Sequence, residues 1–445
     1  MQSKNRFTRF SYFLLPTALF FVLPIPHTIA LRDSLAVICV VLFLFSAYRD
    51  GCAPLPTQAR LPLLIFFALL VWLVVAGVAL SPNRMAVLDE IGSQWLRGLI
   101  FMGLGGLLAL QLSAAQRRIW LAALFGVLIA HVLYADVAAL LASASRGEWA
   151  QRVSGLTAGP DRLNLLQQLL VAFLLTESLG RLIQTPRALL HGGGVFAIAW
   201  LVAVLGFLFS SMRNGLIALG VYFVLFLVLL RISGQVSRRV IAGLMVGLFA
   251  VLVIGGAISW RSDPRWQSLI ETIPLALDTQ TNKAWLGEQY PLPRLANGEP
   301  AIHSNYLRIA WIKEGVLLVR EHPLGIGFER GAFGRGLQAK YGEGLGQHSH
   351  SGLLDLTIGG GIPALVLWLA FLAVVFAHGL RAWTMRREYS GALLVLIVAD
   401  FAARSVIDSV VRDYMLLQFL FLTGTLFVCA TAPLDDASNR PATTA

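Results

Sequence analysis

Long runs of apolar residues alternate with short polar segments along most of this sequence. The runs are about 17–25 residues long, the length with which an α-helix crosses the hydrocarbon core of a bilayer. Backbone groups in lipid must pair with one another, so we expect each run to form a helix. The pattern therefore predicts an all-α polytopic membrane protein with about twelve transmembrane helices.

The predicted spans are separated by polar connections that contain arginine, glycine or proline. The first run follows a basic N-terminus, but its prolines and the many later spans favour an uncleaved helix over a signal peptide. The spans are Phe10–Pro26, Leu35–Tyr48, Leu61–Leu80, Leu96–Leu112, Ile119–Leu141, Leu163–Ile183, Val195–Ser210, Asn214–Leu230, Val240–Ser259, Ile362–Leu380, Gly391–Ile407 and Tyr414–Ala432.

Composition agrees with a membrane protein, since 57% of the residues are hydrophobic and only 13% are charged. A soluble protein carries about 25% charged residues. The formal net charge of +11 fits the basic cytoplasmic loops of a many-spanning chain, and we expect no nucleic-acid partner. The three cysteines show neither a metal-binding nor a disulfide spacing.

Arginines in the short connections set the predicted topology, because short basic loops stay in the cytoplasm. Every second connection is basic, which places both termini in the cytoplasm and one large loop on the opposite side. Within that loop, His303–Glu321 reads as a helix that Ser304 caps and Pro323 ends. The predicted units are spans over 1–259, a loop domain over 260–350, spans over 351–432 and a cytoplasmic tail over 433–445.

Two histidines stand where the large loop returns to the membrane. His348 and His350 have side chains that titrate near neutral pH, which suits a general base at the membrane surface. Both can face one ligand only if the segment is extended or is just entering a helix. The histidines could instead cap helix ends, or form a metal pair, although no Asp-x-Asp or third ligand stands nearby.

Several arginines lie on the same side as the histidines. Arg213 stands in a very short turn between two spans, where it either reaches lipid headgroups or binds an anion. A guanidinium group matches the geometry of a phosphate. Arg308, one turn into the loop helix, and Arg265 are the next candidates, although either could be a solvated surface residue.

A further loop on this side contains Arg152, Asp161 and Arg162. It could line a pocket for a polar substrate or be a plain turn that caps a helix. Among the ionisable residues inside spans, Asp400 and Arg404 are four apart and are predicted to pair. A secondary transporter is an alternative for such a chain. The informative polar residues gather on one side of the membrane, however, rather than near the midplane.

Three groups of residues match motifs that one enzyme family shares. They are a serine–arginine pair at a span end, an arginine and an aromatic residue before a glycine-rich turn, and a histidine followed at fixed spacing by glycine. In this sequence they are Ser210-Ser211-Met212-Arg213, then Arg308 and Trp311 followed by Pro323-Leu324-Gly325-Ile326-Gly327, and finally His350-Ser351 followed after nine residues by Gly361.

With these motifs in this order, the chain resembles the bacterial O-antigen ligase and polymerase superfamily, which includes protein O-oligosaccharyltransferases. The resemblance implies a fold similar to type C glycosyltransferases. It also implies inverting, metal-independent transfer of a glycan from undecaprenyl pyrophosphate to a hydroxyl of the lipid A–core oligosaccharide. The expected place is the periplasmic face of the inner membrane of a Gram-negative bacterium. No cofactor is expected.

The resemblance and the chemistry together assign roles to residues. His350 is the predicted base and His348 supports it or orients the acceptor, while arginines stabilise the pyrophosphate as the bond breaks. An O-antigen polymerase or a protein O-oligosaccharyltransferase remains an alternative. The predicted catalytic set is His350, His348, Arg213 and Arg308, and the predicted substrate-binding set is Arg265, Arg152, Ser211, Asp161 and Arg162.

Overall fold

The computed structural model describes residues 13–51, 54–183, 189–190, 192–210, 212–262, 264–343 and 346–431. These residues form helices and connecting loops, with no β-strand among them. The α-helices are α1 Phe13–Val22, α2 Ile29–Asp50, α3 Arg60–Leu80, α4 Arg84–Glu90, α5 Arg97–Gln111, α6 Ala114–Arg146, α7 Pro160–Leu182, α8 Gly193–Ser210, α9 Arg213–Ser233, α10 Arg238–Ser262, α11 Pro264–Leu277, α12 His303–Glu321, α13 Ala332–Tyr341, α14 Gly352–Arg386, α15 Tyr389–Ile407 and α16 Asp413–Thr431.

Ten helices in the described residues are long and apolar enough to cross a membrane. The first predicted span falls on the shorter helix α1, and the eighth falls on α9, whose stretch Ala218–Ser233 is a shorter apolar helix. A helix therefore stands at every predicted span. The predicted class, an all-α polytopic membrane protein, is confirmed.

The tenth span begins earlier than its hydrophobicity suggests. It was expected from Ile362, but α14 starts at Gly352, where the Ser351 hydroxyl accepts a hydrogen bond from the Leu354 N–H at 3.3 Å. Gly361 interrupts the helix with a φ of 75°. Hydrophobicity located only the half after this kink, because the half before it packs against protein rather than lipid.

The kink leaves backbone groups that a second glycine-rich segment satisfies. Pro363 has no N–H, so the Gly359 carbonyl lacks its normal helical donor. The Gly327 N–H fills that place at 3.1 Å, and the Ile362 N–H bonds the Pro323 carbonyl at 2.8 Å instead. The remaining pairings are Ile326 N–H to the Ile358 carbonyl at 3.0 Å and Trp72 Nε1–H to the Gly360 carbonyl at 2.6 Å.

Only glycine fits at the centre of this pairing. A Cβ on Gly361 would lie 2.3 Å from the carbonyl carbon of Leu324, and a Cβ on Gly325 would lie 2.5 Å from the Gly359 carbonyl oxygen. Both glycines also have positive φ, which other residues rarely adopt. The turn after α12 and the kink of α14 are thus one structural unit, which ties the large loop to the membrane bundle.

The bundle is organised around helices that lipid does not reach. α5 and α16 pack closely because small residues let their backbones approach: a Cβ on Gly424 would lie 2.0 Å from the Met102 carbonyl oxygen. α7 is almost wholly buried, yet it carries Asn164, Gln167 and Gln168 in the interior. Buried polar groups need partners, so these residues mark where α7 takes part in a polar cluster.

The large loop forms its own hydrophobic core from α11, α12 and α13 and the segments between them. Trp285, Tyr306, Trp311 and Phe333 are its large buried residues. The predicted helix over His303–Glu321 is found with those bounds, but its N-cap is Ile302 and no side chain caps it. The expectation that Ser304 caps the helix is therefore wrong. We call the end of the bundle that carries this core the loop side.

Candidate active site

The turn between α13 and α14 brings the two histidine rings together. The ring centroids of His348 and His350 are 4.4 Å apart and the planes meet at 85°. The His350 backbone N–H donates to Nδ1 of His348 at 3.3 Å. His350 has a φ of 62°, a left-handed conformation that costs about 1–3 kcal/mol and persists only where surrounding contacts enforce it. This turn lets residues two apart face the same space.

Helix α12 packs beside the two histidines and contributes Trp311 and Arg308 to the site. The Trp311 indole stacks on the His350 ring with centroids 5.5 Å apart and planes at 14°. Trp311 is held in turn because its Nε1–H donates to the Trp285 carbonyl at 3.0 Å. Arg308, half-buried, lies one turn earlier on α12. The structure thus brings Arg308 to the histidines, and its positive charge acts on both rings.

Burial and neighbouring charges favour neutral imidazoles here. Burial is the largest cause that lowers the pKa of His350 to about 4, and the charges of His348 and Arg308 lower that pKa further. Burial likewise lowers the pKa of His348, with Arg412 as the next cause. A neutral ring has a lone pair for a proton, so this environment fits a general base.

Asp355, in the first turn of α14, is hydrogen-bonded to the backbone of the histidine turn. Its Oδ1 accepts from the Ser349 N–H at 2.7 Å, and its Oδ2 accepts from Arg412 Nη2 at 3.4 Å. The Ser409 hydroxyl donates to Oδ2 of Asp355 at 3.2 Å, and its oxygen lies 3.3 Å from Nδ1 of His348. Sequence reasoning missed Ser409 and Arg412, although a polar stretch between the last two spans was a signal for them.

A buried guanidinium continues this network into the bundle. The Arg404 side chain is 1% exposed and pairs with Asp408 at 3.1 Å. It also donates to Asn164 at 3.2 Å, to Gln168 at 2.8 Å and to the Asp161 carbonyl at 2.7 Å. Arg404 therefore joins the end of α15 to the start of α7.

The predicted pairing of Arg404 with Asp400 is not what the structure shows. The residue within salt-bridge distance of Arg404 is Asp408, one turn after it, whereas Asp400 is one turn before it. Asp400 lies inside α15, whereas Asp408 is its C-cap residue with an extended backbone, so helical spacing alone pointed to Asp400. Asp408 lies where the end of α15 meets the polar start of α7, so Arg404 reaches both Asp408 and the Asp161 carbonyl there. Oδ1 of Asp408 also accepts the Ser409 backbone N–H.

The other predicted substrate residues lie around the start of α7. Asp161 is in its first turn, where a carboxylate is favourable near the helix N-terminus. The Arg162 guanidinium lies over the Tyr414 ring, 5.6 Å from its centroid. Arg152 is exposed and has a φ of 56°, and the next residue's N–H bonds the Phe209 carbonyl at 3.3 Å.

The remaining predicted residues cannot all be placed. Ser211 lies outside the described residues, and so do the side chains of Arg213 and Arg265, whose backbones belong to α9 and α11. The start of α9 is nevertheless positioned by Gly215, because a Cβ on Gly215 would lie 2.7 Å from Nδ2 of Asn164. Asn164 also bonds Arg404, so the Arg213 turn contacts the network that reaches His348.

A small polar cavity of about 30 Å³ opens beside the histidine turn. Its lining includes the polar residues Glu90, Gln347, Asp355 and Arg412 and the aromatic residue Trp95. It lies between α14, the π-helical segment Ile91–Leu96 and the loop before α16. A cavity of this size has room for about one water molecule beside these polar groups. Within the described ranges, no group of three or more His, Cys, Asp or Glu side chains is arranged to hold a metal ion.

Comparison with protein families identifies the central part of the chain. A family model described as O-Antigen ligase matches residues 197–369, which include Arg213, Arg308, His348 and His350. A search of curated proteins gave no match. Residues 404–412 lie after the matched region, so the family model does not cover the network that supports His348. By this match, residues 197–369 are an O-antigen ligase family region, and they lie within a chain of apolar helices long enough to cross a membrane.

Proposed function

We propose that this protein moves an O-antigen polysaccharide from undecaprenyl pyrophosphate to a hydroxyl of the lipid A–core oligosaccharide. The reaction takes place at the periplasmic face of the inner membrane of a Gram-negative bacterium. One observation carries the proposal: the half-buried His350 ring stacks on Trp311, one turn from Arg308, directly before α14 enters the bundle, and burial and the Arg308 charge lower its pKa. This arrangement supplies a proton acceptor and an anion-stabilising group together.

The proposed step is a single displacement at the anomeric carbon of the donor sugar. The acceptor oxygen forms the new bond to this carbon from the face opposite the pyrophosphate. The bond between carbon and phosphate oxygen breaks, and its electron pair leaves on the pyrophosphate. His350 takes the hydroxyl proton as the acceptor attacks. Attack from the opposite face inverts the anomeric configuration.

Arginines stabilise the charge that grows on the leaving pyrophosphate. Fixed guanidinium groups act where this charge develops and need no metal for it. Arg308 is half-buried beside the histidines, and Arg213 begins α9 beside the polar network. We assign both to the pyrophosphate. Residues that we assign to weaker contacts with the substrates are Arg265, Arg152, Ser211, Asp161 and Arg162.

The position of the site suits substrates that are both lipids. The histidine turn ends directly at Gly352, the first residue of a membrane-spanning helix. A polyprenyl chain and lipid A can stay in the membrane while their polar heads meet at the loop side. The family match supports a transferase over a secondary transporter. Ligase and polymerase use the same donor chemistry and differ in the acceptor.

The test is reconstitution of the purified protein with a lipid-linked O-antigen donor and purified lipid A–core. We expect transfer that continues in EDTA, is lost in His350→Ala and is retained in His322→Ala, which alters an exposed histidine on the loop side. Absence of transfer to lipid A–core by the wild type would contradict the ligase. Glycan extension on the lipid-linked donor without lipid A–core would identify a polymerase. Flux driven by a proton gradient in proteoliposomes would support a transporter.

A further inference from the structure

The ring nitrogen Nδ1 of His348 is already engaged inside the protein. The His350 backbone N–H donates to it at 3.3 Å, and the Ser409 hydroxyl lies at the same distance. A backbone N–H can only donate, so Nδ1 must present its lone pair. A neutral imidazole has one N–H and one lone pair. The proton of the neutral His348 ring is therefore on Nε2.

This assignment gives the two histidines different chemistry. Removing a proton with Nδ1 of His348 would break its contact with the His350 N–H, and Nε2 already carries a proton. The His350 ring stacks on the Trp311 face and meets the edge of His348, and it makes no hydrogen bond with any residue that the structure describes. His350 can therefore accept a proton, whereas neutral His348 can only donate a hydrogen bond outward, as neutral imidazoles do in other enzyme sites.

We propose that His348 binds the acceptor sugar through Nε2–H, that the His350 backbone N–H on Nδ1 sets this tautomer, and that Ser409 and Asp355 are positioning residues that hold the ring and its turn in place. The assignment rests on the proposed function, since it concerns the acceptor of the same reaction. With the ring centroids 4.4 Å apart, His348 holds an acceptor oxygen while the neighbouring His350 removes the hydroxyl proton. Neither Ser409 nor Asp355 touches the substrate in this account.

The positioning residues are themselves held in place. Asp355 receives the Ser349 N–H at 2.7 Å, so the carboxylate is bound to the histidine turn that it supports. The Ser409 N–H donates to Oδ1 of Asp408 at 3.0 Å, and Asp408 is fixed by the buried Arg404. These bonds fix the backbone at Ser409, and so they fix the position of its hydroxyl beside His348. Rotation of the His348 ring would give up contacts on both sides.

The kinetic test uses the different shapes of asparagine and glutamine. The asparagine amide replaces the Nδ1 end of a histidine ring, whereas the glutamine amide reaches the Nε2 position and keeps a donor there. We expect His348→Asn to raise KM for lipid A–core about tenfold or more, the cost of one substrate hydrogen bond. His348→Gln, which keeps a donor near the Nε2 position, should raise KM for lipid A–core clearly less than His348→Asn does, and KM for the lipid-linked donor should change little in both.

Equal KM increases in the two variants, or a rise confined to the donor, would overturn the assignment. Ser409→Ala should raise KM for lipid A–core, and Ser409→Thr, which keeps the hydroxyl, should restore it. Thermal unfolding of each variant checks that the fold is intact. If Ser409→Thr behaves as Ser409→Ala does, the hydroxyl does not position His348 and the proposal is wrong.

A spectroscopic measurement tests the tautomer without relying on catalysis. Proton–nitrogen correlation spectra of the protein with ¹⁵N-labelled histidine distinguish the two neutral imidazole tautomers, and the His348→Gln variant identifies the signal. We expect the Nε2–H form in the wild type and also in Ser409→Ala, because the His350 backbone N–H that donates to Nδ1 is unchanged there. An Nδ1–H form would overturn the proposal. If the wild type shows no glycan transfer but does show the Nε2–H form, the proposed function fails while the tautomer assignment stands.

Discussion

Two polar clusters on the loop side differ in solvent exposure and in how completely their charged groups are paired. The histidine cluster, His348, His350, Trp311 and Arg308, is half-open and has one strained backbone, and Arg308 lies beside two rings whose pKa values burial lowers. The cluster around Arg404 is closed, and its guanidinium has a carboxylate and three oxygen partners. Paired groups in a closed site hold structure, whereas unpaired groups in an open site are free to act on a ligand.

The largest effect is expected from removing the proposed base, which tests whether the half-open cluster is catalytic. His350→Ala should lower kcat about 10²- to 10⁴-fold, the usual contribution of general base catalysis. The thermal unfolding midpoint should change little, because the ring is half-buried and its stacking on Trp311 is its main contact. Rates from single-turnover transfer, with His322→Ala as the control, provide the measurement. Unchanged turnover would remove His350 from the chemistry.

Removal of the buried guanidinium should have the opposite signature. Arg404→Leu leaves Asp408 and the Asp161 carbonyl without their partner, and breaking a buried pair in this way costs about 3–5 kcal/mol of stability. We expect a large loss of folded protein in detergent, measured by thermal unfolding and size-exclusion chromatography. Arg381→Leu, at the other end of the bundle, is the control. A stable Arg404→Leu protein with selective loss of activity would show that the closed cluster is not structural.

Arg308 should affect turnover more than stability. Arg308→Ala removes a charge that we place against the developing pyrophosphate, and loss of one such group costs about 10²- to 10³-fold in kcat. Arg320→Ala alters an exposed arginine on the same helix and should leave turnover unchanged. Comparison of single-turnover rates for the two variants gives the result. Equal effects of both changes would assign Arg308 to the solvated surface.

The smallest expected effect is the pH dependence of the transfer rate, which reports how far burial shifts the pKa of His350 in the half-open cluster. Because burial lowers the pKa of His350 to about 4, the neutral base predominates above that pH. The rate should therefore fall only as pH drops through about 4 and should be level at higher pH, when chemistry is limiting. Arg308→Ala should move the inflection upward, since it removes a positive charge. An inflection near 6.5 in the wild type would show that His350 is solvated as an ordinary histidine.

Local patterns predicted part of the fold around the candidate site. The helix over His303–Glu321 was found with its predicted bounds, and the histidine and arginine positions on it and after it could be recognised by motif. The pairing of Pro323–Gly327 with the kink at Gly361 could not be read from either motif alone. That pairing consists of backbone hydrogen bonds between distant segments, and a sequence pattern carries no information on which carbonyls are left open.

The sequence by itself determined that this chain is a bundle of membrane helices, because apolar runs of this length are stable only as helices across a bilayer. It also determined which residue types could bind a phosphate and accept a proton. The tertiary structure alone decided which of them meet. Arg404 bonds the carbonyl of Asp161, 243 positions earlier, and Ser409 reaches His348, 61 positions earlier. Such partners are selected by helix packing, in which side chains from distant parts of the chain compete for the same buried polar groups.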